Sequence, residues 1–370
     1  MAGKAQARLG AERGITVIEI LISLLLGMLV VAGVLQLFVS SKVTFNIQDA
    51  FARLQESGRF AAQMLESELR MAGHTGCSSR ITVYESNLNN SNGFAYRISS
   101  AGANLGIEGY EANGTGVGDN YSITTFTPAS NGGAWAPTLP TADVGTVVVP
   151  GTDAVVVRYF SPTTARLTAS NSGSSLVVES DTTLAVGEIG AVTDCVKASL
   201  FQATAVTGAG STRTIDHVGG GTSPGNAVPT WLLPQQQYSA GAEVSTLRTV
   251  FFFIGQNPRG EPSLYRRRLV GGTLSVAEEL VEGVESLQLA YGEDTNGDLA
   301  ADVYRTADTV ADWGAVVSVR AAMLVRSPGT AASDTDSGSY GLLGAQVDPV
   351  DDRRLRRVFA TTISLRNRLL

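Results

Sequence analysis

The chain of 370 residues has few of the side chains on which most enzymes and metal sites depend. It contains 2 cysteines and 2 histidines, and charged residues make up only 16% of it. Zinc and similar metal sites need three or four nitrogen, sulfur or carboxylate ligands held close together. His74 and His217 lie far apart in the sequence, so the composition offers no obvious metal centre built on histidine and cysteine.

Catalytic sequence motifs are also missing. The chain has no Gly-x-Ser-x-Gly elbow, no phosphate-binding glycine loop and no His-Glu-x-x-His motif. We expect both histidines at the surface, since His74 stands at a predicted helix end and His217 in a glycine-rich stretch. The formal net charge of −7 argues against a nucleic-acid partner, which would favour a basic stripe. The sequence therefore predicts neither an enzyme nor a nucleic-acid-binding protein.

An apolar run near the N-terminus is the strongest feature that the chain does have. It extends over residues 15–39 and contains one charged side chain, Glu19. About 20 apolar residues span a bilayer, so the run predicts a membrane-spanning helix. A secretory signal would be shorter and would end in a small-residue cleavage site. A plain anchor fits the length but does not explain Glu19, because a carboxylate at membrane depth is costly unless it is partnered.

The residues around Glu19 resemble the processing signal of type IV prepilins. A short basic leader, residues 1–14, ends in Gly14, and Glu19 is the fifth residue after that glycine. The resemblance implies that a prepilin peptidase cuts between Gly14 and Ile15 and that the new N-terminus is methylated. It also implies that Glu19 meets the N-terminal amine of a neighbouring subunit and sets the register between subunits. Ile15 is a mild departure, since the family often has Phe there.

Charge in the leader predicts the orientation. Lys4, Arg8 and Arg13 outnumber Glu12, and positive flanks stay on the cytoplasmic side. We therefore expect a single-pass inner-membrane protein with a cytoplasmic N-terminus and a periplasmic head. After assembly, the resemblance places the subunit in a pilus on the surface of a Gram-negative bacterium.

The helical pattern continues beyond the apolar run. Apolar or small residues recur in steps of three and four, which marks one face of a helix, and Gly73 then provides a stop signal. We predict a helix over residues 15–72, with residues 40–73 forming its amphipathic half and residues 74–370 forming the head. The predicted apolar face is Ile47, Phe51, Leu54, Gly58, Ala61, Leu65, Leu69 and Ala72.

The sequence predicts a head that is rich in β-strands. Runs of β-branched and aromatic residues predict strands at 153–160, 175–179, 195–206, 247–254 and 263–270. Residues 81–149 and 207–245 are rich in Gly, Asn, Ser and Thr, so we expect surface loops with short strands there. The predicted fold is α+β and type IV pilin-like: a long N-terminal helix packed on an antiparallel β-sheet head with long loops.

The C-terminal part of the chain has a recognisable sequence pattern. It contains LVEGVESLQLAYG at 280–292, VVSVRAAMLVRS at 316–327 and LRRVFATTISLRNR at 355–368. This pattern resembles the PilW family of minor pilins and, more distantly, the J-type pseudopilins of type II secretion. The resemblance implies a structural subunit that helps to prime pilus assembly and caps or supports the tip, with twitching motility and cell adhesion as the associated processes.

The same resemblance implies the partners. They are other minor and major pilins, a tip adhesin of the PilY type, the prepilin peptidase and the inner-membrane assembly platform. A J-type pseudopilin is the first alternative, although its head is usually smaller. A membrane-anchored binding protein is the second alternative, and it leaves Glu19 unexplained.

The two cysteines, Cys77 and Cys195, both follow the predicted anchor. That order puts them in an oxidising compartment, where disulfides persist. We expect a bridge that closes a loop of more than 100 residues and stabilises the fold by about 3–5 kcal/mol. Two free buried thiols are the alternative.

An acidic segment is the best candidate for a bound ion. Asp294, Asn296, Asp298 and Asp302 place oxygen ligands at relative positions 1, 3, 5 and 9, a spacing used by calcium loops. The sixth position is Leu299 and the twelfth is Arg305, so the segment is not an EF-hand. The alternative is an Asn-Gly hairpin between strands that end near Tyr291 and begin near Val303.

An arginine cluster precedes the C-terminus. Arg353, Arg354, Arg356 and Arg357 follow Asp348, Asp351 and Asp352. We interpret this cluster as a solvated or ion-paired surface, and contact with an acidic neighbouring pilin is the alternative.

Overall fold

A computed structural model describes residues 14–76, 81, 83–90, 93–100, 103–104, 106–228, 231 and 236–368. The chain divides into two compact units, Met1–Ala50 and Phe51–Leu370. The predicted α+β class is confirmed, because the chain has a long N-terminal apolar helix and a head of mostly antiparallel strands.

The helix α1 spans Val17–Leu69, within three residues of the predicted bounds. Its C-terminal part is amphipathic as expected: Leu54, Ala61, Leu65 and Leu69 are fully buried. Phe51 departs from the prediction, since 41% of it is exposed. The helix ends before Gly73, whose φ of +73° is a left-handed conformation that glycine adopts without steric cost.

The described residues of the head form 22 strands and a second helix, α2 at Thr141–Val144. The strands, in chain order from β1 to β22, are Val83–Ser86, Ser99–Ser100, Ala103–Asn104, Ile107–Ala112, Asn120–Ser122, Trp135–Ala136, Ala154–Arg166, Ser175–Glu179, Ile189–Thr193, Lys197–Gln202, Ala205–Thr207, Thr212–Asp216, Glu243–Gln256, Pro262–Val270, Thr273–Leu274, Glu278–Glu282, Val284–Glu293, Val303–Arg305, Val316–Thr330, Tyr340–Leu342, Ala345–Asp348 and Arg354–Ser364. Short 3₁₀ turns lie at Gly132–Ala134, Trp313–Ala315 and Arg366–Arg368.

Two large sheets dominate the head. The first has the order β1-β10-β9-β13-β7-β4-β6, with β14 beside the second half of β13 and with β15 and β16 beside β14. The second has the order β18-β17-β19-β22. Smaller sheets are β11-β12-β8, β20-β21-β5 and β2-β3. Pairing is antiparallel in the two large sheets except between β1 and β10.

The first sheet is buried on both faces, which explains its continuous apolar strands. Successive side chains of a strand point to opposite faces. Phe252 of β13 packs with Leu65 and Leu69 of α1 in one core, whereas Phe251 and Phe253 pack in another core with Trp135. The sequence predicted surface loops with short strands at residues 81–149, but this segment also contributes to the core. It supplies Phe94, Tyr110, Trp135, Leu139, Val144 and Val148 to the core on the far face of the first sheet.

Helix α1 also packs on the second sheet. A Cβ atom added at Gly58 would lie only 2.2 Å from the ring of Phe359 in β22. No real Cβ contact is that short, so Gly58 permits the aromatic ring to lie against the helix backbone. Phe359 of the last strand thus packs α1 against the second sheet.

Candidate functional site

The predicted cleavage position lies just before helix α1. Residues 14–16 precede α1, and Ile15 is 70% exposed. Thr16 is the last residue before the helix, and its hydroxyl oxygen accepts a hydrogen bond from the Glu19 N–H at 3.3 Å. Thr16 and Glu19 are thus three residues apart at a helix start, which is the arrangement of a capping box. The bond between Gly14 and Ile15 lies outside the helix, and Glu19 lies in its first turn.

The apolar run is exposed along its whole length. Helix α1 is long and apolar enough to cross a membrane: its most apolar window has a mean hydropathy of 2.7, and none of that window is buried. In the unit Met1–Ala50, the described side chains from Ile15 to Val39 are exposed. So much apolar surface is unfavourable in water and requires a bilayer or other apolar helices around it.

A closed ring of alternating charges lies in the head. Each acid contacts two arginines and each arginine contacts two acids. Arg356 Nε lies 2.7 Å from Glu285 Oε2, Arg326 Nη1 lies 2.9 Å from Glu285 Oε1, and Arg354 Nη2 lies 2.8 Å from Glu261 Oε1. The ring runs through Glu285, Arg326, Glu261, Arg354, Asp352, Arg356 and back to Glu285.

The ring is largely shielded from water. Glu285 is fully buried and so is the side chain of Arg356, which also contacts Asp336. Burial alone would lower the pKa of Arg356, but hydrogen bonds and charge from Glu285 and Asp352 raise it above its ordinary value. Arg356 therefore stays charged, and the ring joins β17, β19 and β22 to Glu261, the residue before β14.

The arginine cluster is ion-paired, as one form of the prediction had it, but Arg354 and Arg356 do not lie on a solvated surface. They point into the ring, whereas Arg353 and Arg357 are exposed. The sequence contains a sign of this ring, because Glu285 and Arg326 interrupt apolar strands, where a charge is costly unless it is paired. The partners could not be identified, because they come from four separate segments.

The acidic segment forms the loop 294–302 between β17 and β18, so the predicted hairpin is present. Asn296 Nδ2 donates to Asp302 Oδ1 at 3.0 Å and to Asp298 Oδ2 at 3.2 Å. Asp294 accepts the N–H groups of Gly297 and Leu299. Desolvation would raise the pKa of Asp294, but these backbone N–H groups outweigh it and lower that pKa.

The four predicted calcium ligands are thus close together. Within the described residues, no group of three or more His, Cys, Asp or Glu side chains has an arrangement that would hold a metal ion. The Asn296 amide lies between two carboxylates and points its nitrogen toward them. A cation would require that amide to turn its oxygen inward. Calcium binding stays a prediction, and its test is given in the Discussion.

Of the two cysteines, Cys195 lies in the described part of the chain. Cys195 is disulfide-bonded and exposed, and its φ of +72° is a conformation that non-glycine residues rarely adopt. Cys77 lies outside the described residues. The bridge between Cys77 and Cys195 therefore stays a prediction.

The expectation of a surface His217 is wrong. Its side chain is fully buried and stacks on Trp231, with ring centroids 4.1 Å apart. Among the described residues, neither imidazole nitrogen has a hydrogen-bond partner. Burial lowers the pKa of His217 to about 4, so the ring is neutral near pH 7. Residues 207–245 were predicted as loops with short strands. They contribute β12, Trp231 and Tyr238 to a core that also contains Phe201.

His74 is half-buried at the end of α1, beside Asn367. Burial lowers its pKa, although a hydrogen bond with Asn367 and the charge of Glu243 oppose that shift.

A comparison with known protein families gives a match in the C-terminal part of the head. Residues 251–367 match the family model of the type IV pilus-assembly protein W, PilW. The predicted resemblance to the PilW family is confirmed over this segment, which contains β14 to β22 and all six members of the charge ring. The match relates the chain to type IV pilus assembly. No curated protein and no solved structure gives a significant match to the chain.

Proposed function

We propose that this chain is a minor pilin of a type IV pilus, a non-enzymatic subunit that helps to prime pilus assembly and caps or supports the tip. The observation that carries the proposal is the combination of two features in one chain. Helix α1 begins three residues after Gly14, carries Glu19 in its first turn and has an exposed apolar stretch up to Val39. The PilW-matching segment then forms the second sheet, on which the same helix packs.

The physical role of each part follows from this combination. Before assembly, the helix holds the subunit in the inner membrane with the head in the periplasm. During assembly, the same apolar surface packs against the helices of other minor and major pilins. The prepilin peptidase, the inner-membrane assembly platform and a tip adhesin of the PilY type are the further partners in this proposal.

Removal of the leader is the direct test. Gly14→Arg should leave the precursor uncut, because the peptidase needs a small residue before the scissile bond, and pili should be absent. Gly10→Arg is the matched control, since it adds the same charge to the leader and leaves the cleavage position intact. Mass spectrometry should find N-methylated Ile15 at the start of wild-type and Gly10→Arg protein. A subunit in the pilus that still starts at Met1 would refute the proposal.

A second experiment distinguishes the pilus from type II secretion. Surface pili sheared from cells should contain this chain together with other pilins, identified by mass spectrometry. If the chain is absent from sheared pili and its deletion blocks protein secretion, the J-type pseudopilin is the better assignment. If the chain is absent from both systems and remains a monomer in the membrane, the anchored binding protein is favoured.

A further inference from the structure

A buried carboxylate joins the two large sheets. Asp153 precedes β7 and is 2% exposed. Its Oδ1 accepts the N–H of Ala112, in β4 of the first sheet, at 2.9 Å. Its Oδ2 accepts the N–H of Leu289, in β17 of the second sheet, at 2.7 Å. Asp153 therefore satisfies one backbone donor from each sheet and joins the two sheets at this point.

A second buried acid lies beside Asp153. Glu111 of β4 is 5% exposed, and its Oε2 is buried without a hydrogen-bond partner among the described residues. Its carboxyl group accepts the N–H of Ala307, in the turn after β18, and Thr115 Oγ1 lies 3.4 Å from its Oε1. The Glu111 carboxyl group thus faces the segment between β18 and β19 of the second sheet.

The surroundings of the two acids contain no compensating cation among the described residues. The titratable groups that face them are Asp308 from the turn after β18 and Tyr291 from β17. Neither Glu111 nor Asp153 takes part in an ion pair within the described part of the chain. Two adjacent carboxylates in such a site cannot both ionise at modest cost, so one of them retains a proton.

The hydrogen bonds decide which acid retains the proton. Asp153 accepts two backbone N–H groups, which favours its charged form. We propose that Glu111 holds the proton and that Glu111 and Asp153 form a proton-operated latch between the two sheets, closed in weakly acidic medium and progressively released as the medium becomes alkaline.

The direction of the pH effect follows from linkage. Burial, and then the charge of Asp153, raise the pKa of Glu111 well above its ordinary value, and burial also raises the pKa of Asp153. A group whose pKa is raised by folding stabilises the fold fully below its unfolded pKa and loses that contribution as pH rises through its folded pKa. The latch therefore weakens as pH increases from about 5 to about 9, given an ordinary glutamate value near 4.3.

Denaturant unfolding of the full-length chain in detergent micelles, repeated from pH 5 to pH 9, tests the proposal. Each proton released on unfolding changes the unfolding constant by up to about tenfold per pH unit. Glu111→Gln keeps the shape of the neutral acid and cannot ionise. It should remove about one proton from this pH dependence and make the chain more stable than wild type at pH 9.

Glu108→Gln is the matched control, because Glu108 is a buried acid of the same strand that is bound to Arg97 and Arg158. Its loss leaves Arg158 buried without its carboxylate partner, so it should destabilise at every pH and leave the slope unchanged. Carbon-13 NMR of the glutamate side chains gives a second readout. Wild-type protein at pH 7 should show a neutral carboxyl signal that disappears in Glu111→Gln. An unchanged pH slope in Glu111→Gln, or the absence of that signal in wild type, would overturn the latch.

Discussion

The unit Met1–Ala50 and the unit Phe51–Leu370 depart from the usual distribution of side chains in opposite ways. In the first, the apolar residues from Ile15 to Val39 are exposed. In the second, Arg158 and Glu285 are buried among apolar strands. The comparison shows two solutions to one problem of solvation. The helix needs an apolar environment from outside the subunit, whereas the head supplies its own counter-charges.

The strongest test of this comparison removes Glu19, the one charged residue of the apolar run at 15–39. Glu19→Ala deletes a costly polar group, so membrane insertion should be unchanged or better. Incorporation into pili should nevertheless fall to near zero if Glu19 pairs with a neighbour. Quantitative mass spectrometry of sheared pili and of membranes measures both quantities. Glu66→Ala is the control, because it loses only an i,i+4 pair with Arg70. Wild-type incorporation of Glu19→Ala would end the register hypothesis.

The buried charges of the head give the next largest effect. Arg356→Met should destabilise by about 3–5 kcal/mol, because it leaves Glu285 buried with one cation fewer. Arg357→Met, at the next position, should cost less than about 1 kcal/mol, since Arg357 is exposed. Denaturant unfolding of the full-length chain in detergent measures the difference. Equal losses in the two variants would show that the ring contributes no more than a surface pair.

His217 extends the comparison, because it is a buried titratable group for which burial outweighs the opposing charge of Asp216. Its pKa of about 4 in the fold lies below an unfolded value near 6.5. The contribution of His217 is therefore complete above pH 6.5 and is lost as pH falls toward 4, a loss of about 2–3 kcal/mol. His217→Phe should remove this acid sensitivity, measured by thermal unfolding between pH 4 and pH 7. His74→Gln should have a smaller effect, because His74 is only half-buried. If the acid profile of His217→Phe matches that of wild type, the destabilisation arises elsewhere.

The acidic loop gives the smallest expected effect. If Asp294, Asn296, Asp298 and Asp302 bind calcium, a concentration ten times the dissociation constant should stabilise by about 1.4 kcal/mol and raise the melting temperature by a few degrees. Magnesium should act poorly, because it demands tighter octahedral geometry. Asp298→Ala should abolish the calcium effect, and Asp334→Ala, an exposed acid of another loop, should not. No shift at millimolar calcium would leave the segment as a hairpin turn.

Regular patterns made part of this fold predictable. Helix α1 was predictable because apolar residues recur over some fifty positions, and β13 and β14 were predictable because runs of β-branched and aromatic residues favour strands. Trp135 and Tyr110 were not recognised as core residues, since they are isolated within a glycine-rich sequence where no period is visible. The charge ring could not be predicted either, because the pairing of Glu261 with Arg354 depends on the topology of the sheets and not on the spacing of the two residues in the sequence.

The processing signal could be read from the sequence because it is contiguous: Gly14, Ile15 and Glu19 lie within six residues. His217 was misplaced for the opposite reason. Its glycine-rich neighbours indicate a loop, while the residues that bury it, Phe201 and Trp231, belong to other segments.

The charge ring also bears on the order in which the head can mature. A polypeptide is synthesised from its N-terminus, and Arg354 and Arg356 come after Glu261, Glu285 and Arg326 in the chain. Until Arg354 and Arg356 have been made, Glu285 and Glu261 have one arginine between them, Arg326. The nascent head must therefore wait for these two arginines before its acids have all of their partners. A chain truncated before residue 354 should be held by chaperones or degraded rather than delivered to a growing filament.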